Sequence, residues 1–219
     1  MKDATHVQTR RLEGLRPVGN VIDSIEFLEQ SGYTEFAINS VVATLYSKSV
    51  QTELVSQVRK RIFSPILYMG GVKTVEDAQR IIESGADRVG VNSQLFQDPK
   101  LLGELESELG AQSVVLQVDT LNEAGSWKVA HSSGREVSSH ELESWLSKCF
   151  ENFSGEALVT CIDTQGTSKG IPTELVELLA PWKERLIISG GLAGADQIFE
   201  ISQRFSGFSF SSSNVCLPS

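Results

Sequence analysis

The chain has 219 residues, is 40% hydrophobic and 21% charged, and carries a formal net charge of -9. Those values describe a globular protein of one large domain or two small ones, and we expect a single domain over residues 1–219. An acidic surface disfavours nucleic acid and anionic membranes as partners, and no apolar run approaches the ~18 residues that would span a bilayer.

The N-terminal stretch MKDATHVQTRR has no apolar core of the kind a signal peptide needs. We therefore expect a cytoplasmic protein. The stretch VIDSIEFLEQSG then places Ile22, Ile25, Phe27 and Leu28 near helical spacing. Short apolar runs follow at EFAIN (35–39), PILYM (65–69), RVGVN (88–92), SVVLQVD (113–119), ALVTCID (157–163), RLIIS (185–189) and GFSFSS (207–212). Being apolar on both faces, they suit strands buried in a parallel sheet. Between the second and third lies TVEDAQRIIESG, a helix with Thr74 as its N-cap, Asp77 as the box partner and Gly85 as its stop. The stretch SWKVAHSSGREVSS (126–139) interrupts the alternation and is expected to form a hairpin around a Ser-Ser-Gly turn. Trp127 and His131 belong to the packing and surface of that hairpin, and His6 and His140 to a loop and a helix surface. Cys149, Cys161 and Cys216 have neither disulfide nor metal spacing and are expected to be reduced thiols.

The chain repeats itself. Gly70-Gly71 and Gly190-Gly191 each close an apolar run and stand 120 residues apart, as do Ser93 and Ser213. Glu35 and Glu156 open strands at an offset of 121, which Ser47-Lys48 and Ser168-Lys169 keep. A duplicated set of βα units predicts two half-barrels of one α/β (β/α)8 TIM barrel; a doubly wound open sheet is the alternative. Only seven strand-like runs are visible, where a closed barrel of this kind requires eight.

In such a fold the ligand sits at the C-terminal ends of the strands. Gly70-Gly71, Asn92-Ser93, Gly190-Gly191 and Ser212-Ser213 all fall at such ends. Glycine permits close backbone approach, and exposed N–H groups favour an anion. Two such places imply a long substrate with a phosphate at each end; the plainer reading of either glycine pair is a tight βα turn. Asp119 and Asp163 end apolar runs and could exchange protons with a substrate, or cap the next turn. Thr160 and Cys161 lie inside the same strand as Asp163 and could point into the mouth or into the barrel layers. No nucleophilic triad and no metal-ligand cluster appears, and no cofactor is expected.

The stretch GGVKTVEDAQRIIESGADRVGVNSQLFQDPKLL, with GAQSVVLQVD, TCIDTQGTSKG and ISGGLAG, resembles the HisF family, the cyclase subunit of imidazole glycerol phosphate synthase. RPVG (16–19) looks like the RYVG of a HisF-like branch that serves sugar amidation of surface polysaccharides. The resemblance implies a TIM barrel, a bisphosphorylated ribulosyl substrate, and ammonia delivered by a glutaminase (HisH-like) partner in a heterodimer. It implies a catalytic role for Asp119, one phosphate at Gly71, Asn92 and Ser93, and the other at Gly166, Gly191, Ser212 and Ser213. It implies an ammonia gate at Glu35, Arg88 and Glu156, with arginine where lysine is usual, and a glutaminase-facing position for Asp87 and Gln112. The chain departs from the family at Gln8, Ser40 and Gln165; by the resemblance the family's first strand, with its other catalytic aspartate, precedes Met1 in register, and the family's last helix has no counterpart after SSSNVCLPS, so the barrel is expected to lack its first strand and last helix. Histidine biosynthesis is the leading expectation. Ammonia delivery to a sugar-amidating ligase and a catalytically degenerate glutaminase-binding protein are the alternatives.

Overall fold

The computed structural model describes residues 5–41, 43, 46, 48–192, 195–204 and 207–211. These fall into two compact units, the first drawn from the described residues within 5–8 and 15–115, the second from those within 9–14 and 116–211. The fold is α/β and TIM-barrel-like. Seven parallel-type strands are present among the described residues, which agrees with the expected pattern short of elements.

In the first unit, α1 (Val21–Gln30) leads to β3 (Phe36–Asn39), then α2 (Thr52–Arg59), β4 (Ile66–Met69), α3 (Val75–Glu83), β5 (Arg88–Val91) and α4 (Leu101–Leu109). β3 pairs β4 in parallel with Phe36 opposite Ile66, and β4 pairs β5 with Leu67 opposite Arg88. All four residues of β4 are buried, as a strand covered on both faces requires. The core is built on Ile62, Ile66, Tyr68, Ile81, Leu95 and Leu105. Helix α3 starts as its sequence predicts. Thr74 Oγ1 accepts from Asp77 N at 3.2 Å, the Asp77 carboxylate accepts from Lys73 N at 3.0 Å, and Gly85 ends the helix at φ 112°. The carboxylate thus reaches one residue beyond the usual partner of a capping box.

In the second unit, β6 (Val114–Glu123, of which the first two residues belong to the first unit) neighbours β9 (Glu156–Cys161). β9 pairs β10 (Leu186–Ser189), and β10 pairs β11 (Ser209–Ser211), both in parallel. Helices α5 (Leu142–Phe150), α6 (Thr173–Leu179) and α7 (Ala195–Arg204) alternate with them. Leu116, Leu142, Leu146, Leu175, Leu179 and Ile188 form the buried centre. The expected insertion is a hairpin of β7 (Ser126–His131) and β8 (Glu136–Glu141). It pairs antiparallel onto the extended end of β6, with Asp119 opposite Ala130. Trp127 is buried in it, as expected of hairpin packing.

Two local expectations are corrected. Residues 5–20 form a second hairpin, β1 (Thr5–Arg10) and β2 (Glu13–Asn20). His6 therefore sits in β1 and His140 in β8, not in a loop and on a helix. No helix among the described residues is long and apolar enough to cross a membrane.

Candidate functional site

The first-unit cradle forms where β4 ends. Gly70 and Gly71 adopt φ 96° and 80°, a region that L side chains disfavour. A Cβ on Gly70 would lie 2.4 Å from the Ser40 carbonyl oxygen, and one on Gly71 2.8 Å from the Ala43 Cβ. Ser40 N donates to Met69 O at 2.8 Å, so the β3–β4 ladder runs right up to the glycines. Ser40 is buried and hydrogen-bonded to Tyr68, whose hydroxyl also accepts from Gln51 N at 3.0 Å. Burial holds the Tyr68 phenol above its ordinary pKa. At the end of β5, Asn92 leads into a 3-10 turn, Ser93–Phe96, and both Asn92 and Ser93 are half-buried.

The second-unit cradle repeats this construction. Gly190 and Gly191 adopt φ 97° and 93°. A Cβ on Gly190 would lie 2.4 Å from the Cys161 carbonyl oxygen, and one on Gly191 2.5 Å from the Thr164 Cβ. Ser40 and Cys161 stand 121 residues apart, as do Ala43 and Thr164. The duplication seen in the residues therefore extends to which atoms the glycines touch. Thr164 Oγ1 donates to Gly190 O at 3.0 Å, and Gly170 N donates to Gly191 O at 2.7 Å. Thr164 and Gly170 are site residues that the sequence reading missed; aligning the halves at an offset of 121 points to Thr164. Gly166 adopts φ 70° in the same β9–α6 loop. Ser212 and Ser213 lie outside the described residues.

Asp119 is 3% exposed and lies inside β6 rather than at its end, because β6 continues four residues further to meet β7. Asp163 does cap a neighbour: its Oδ2 accepts from Asn122 N at 2.7 Å, and its carbonyl accepts from Arg11 Nε at 3.1 Å. Thr160 is half-buried in β9, in register with Ser189. Cys161 is buried and Cys149 half-buried, both free thiols. Desolvation raises both, Cys149 to about 11, so neither suits a nucleophile. Cys216 is outside the described residues. No group of three His, Cys, Asp or Glu side chains that could hold a metal ion occurs among the described residues.

At the opposite, N-terminal ends of the strands, Arg88 and Glu35 form an ion pair at 3.6 Å in the first unit. Arg88 is 15% exposed and Glu35 54%, so the cation is the sheltered partner. Asp87 accepts from Arg59 Nη2 at 2.5 Å and from Ile66 N at 2.8 Å, which ties the start of β5 to that of β4. Gln112 is exposed in the turn before β6. In the second unit, Glu156 is half-buried at the first position of β9.

Comparison with known proteins shows the family. The family model described as histidine biosynthesis protein matches residues 1–208. The imidazole glycerol phosphate synthase subunit HisF of Streptococcus sanguinis (strain SK36) is 33% identical over 206 residues, 93% of this chain and 82% of the relative. That of Streptococcus gordonii is 34% identical over the same coverage. That of Legionella pneumophila is 33% identical over 186 residues, 84% of this chain and 87% of the relative. On the duplicated glycine cradles, the match over nearly all of its length and these relatives, the chain belongs to the histidine biosynthesis protein family, as a member of HisF type.

Proposed function

We propose that the chain is the cyclase subunit of an imidazole glycerol phosphate synthase. Ammonia from a glutaminase partner attacks the ketone of a bisphosphorylated ribulosyl aminoimidazole carboxamide substrate and gives an imine. Cleavage then releases an aminoimidazole carboxamide nucleotide and closes the imidazole ring of imidazole glycerol phosphate. The observation that supports this reading best is the repeated cradle: two glycine pairs at near-equal φ, each pressed onto a carbonyl oxygen of the preceding parallel strand. Nothing but hydrogen fits on those Cα atoms, and backbone N–H groups so presented suit phosphate oxygens.

In this reading Gly71, Asn92 and Ser93 hold one phosphate, and Gly166, Gly191, Ser212 and Ser213 hold the other. Asp119 moves protons during imine formation and ring closure. Thr160 and Asp163 line the mouth, with Asp163 also fixing the Asn122 backbone. Glu35, Arg88 and Glu156 gate ammonia, and Asp87 and Gln112 face the glutaminase. The chain acts as one domain in the cytoplasm.

The test is turnover of the full chain with ammonium salt in place of glutaminase. Asp119→Asn should lower kcat by about 10²–10⁴-fold, the usual worth of a placed acid or base. Undiminished turnover would remove Asp119 from the mechanism. Absence of turnover in the unsubstituted chain at every ammonium concentration would contradict the cyclase reading itself.

A further inference from the structure

The segment from Ser40 to Gln51, between β3 and α2, packs on the first glycine pair. The Ser40 carbonyl oxygen lies 2.4 Å from where a Cβ on Gly70 would stand. The Ala43 Cβ and the Lys48 carbonyl oxygen lie 2.8 Å and 3.3 Å from where one on Gly71 would stand. One side chain of β4 holds both ends of this segment. The Tyr68 hydroxyl accepts from Gln51 N at 3.0 Å and is hydrogen-bonded to the Ser40 side chain. Tyr68 is 0% exposed, so water does not compete for that oxygen.

The second unit shows the alternative. Helix α2 opens with TELV (52–55) and α6 with TELV (173–176), 121 residues apart. The N-cap of the first is Gln51 and that of the second is Pro172, and neither makes a side-chain cap hydrogen bond. Proline has no N–H to satisfy. At the glycine pairs' offset of 120, Tyr68 corresponds to Ile188, equally buried and without a side-chain oxygen. Cap donor and strand acceptor are therefore present together in one half and absent together in the other. The second unit holds its segment from the glycine side instead. Thr164 Oγ1 donates to Gly190 O at 3.0 Å, and Gly170 N donates to Gly191 O at 2.7 Å. Ala43 stands at the position of Thr164 and has no hydroxyl to offer.

We propose that Tyr68 is the positioning residue of the first cradle. Its hydroxyl pins both ends of the 40–51 segment. Through Ser40 it fixes the carbonyl against which Gly70 is set, and so the direction of the Gly70 and Gly71 N–H groups. Thr164 does the corresponding work in the second unit. That the anion held there is a substrate phosphate rests on the cyclase reading. The pin itself does not.

The probe is inorganic phosphate, titrated at fixed ionic strength into the full chain and followed through the 15N amide signals of Gly70, Gly71, Gly190 and Gly191. Both pairs should shift. Tyr68→Phe removes one oxygen and keeps the ring. It should weaken phosphate about fivefold at Gly70 and Gly71, the net worth of one hydrogen bond, and leave the affinity at Gly190 and Gly191 unchanged. Ser40→Ala removes the hydroxyl's other partner and should give the same one-sided loss. Thr164→Val should give the opposite pattern. Unchanged affinity at the first pair in Tyr68→Phe and Ser40→Ala would overturn the positioning role. So would an equal loss at both pairs, which general loosening of the core would produce. No shift at either pair in the unsubstituted chain would overturn the cradles themselves and the pin's role with them, so the two failures read differently.

Discussion

A methyl group added to Gly70 or Gly190 would meet a carbonyl oxygen at 2.4 Å, with φ held near 96° or 97°. Overpacking and positive-φ strain add here, so each Gly→Ala substitution should cost about 3 kcal/mol. Urea unfolding should find similar losses at the two positions. A loss at one and none at the other would mean that the cradles are not built alike. The glycines were legible because no other residue type marks a positive φ so plainly. Their contacts were not, since Ala43 and Thr164 are ordinary residues whose role comes from which Cα they face. Asp119 was legible as a carboxylate on a buried strand. Its place inside β6 was not, because the polar residues Asn122 and Glu123 end the apolar run while the strand continues into β7.

Among the elements, buried strands and the amphipathic helix α3 were readable because burial writes itself as apolar spacing. The β1–β2 hairpin was missed for a physical reason. Its strands are half-exposed and polar, and its turn uses Arg11 and Leu12 in place of Asn-Gly. It is anchored by His6, half-buried in β1, whose Nδ1 lies 3.1 Å from Ser24 Oγ in α1. Ser24 Oγ donates to Asn20 O at 2.7 Å, so the ring nitrogen supplies the proton to the hydroxyl oxygen. Burial lowers the His6 pKa below 6.5. The unfolded segment then binds more protons than the folded one, and folding is favoured as pH rises. This contribution is complete above about pH 6.5 and fades as pH falls through the lower folded value. Amide exchange of residues 5–8, corrected for intrinsic rate, should quicken between pH 7.5 and pH 5. The same pH response in His6→Asn would show that another group is responsible.

For the whole molecule, the half-chain repeat carried the fold class, and the division of the chain into two compact units falls in sequence between Val115 and Leu116. The net charge of -9 opposes an anionic ligand at a distance. In the proposed reading, affinity comes from local backbone donors, one cradle for each phosphate. The most direct measurement is calorimetric titration of the full chain, without ammonia, using the bisphosphorylated substrate and two analogues that each lack one phosphate. The account predicts one substrate per chain and an affinity at least about tenfold weaker on loss of either phosphate, the worth of one charge-assisted hydrogen bond or more. An analogue that binds as tightly as the intact substrate would contradict it.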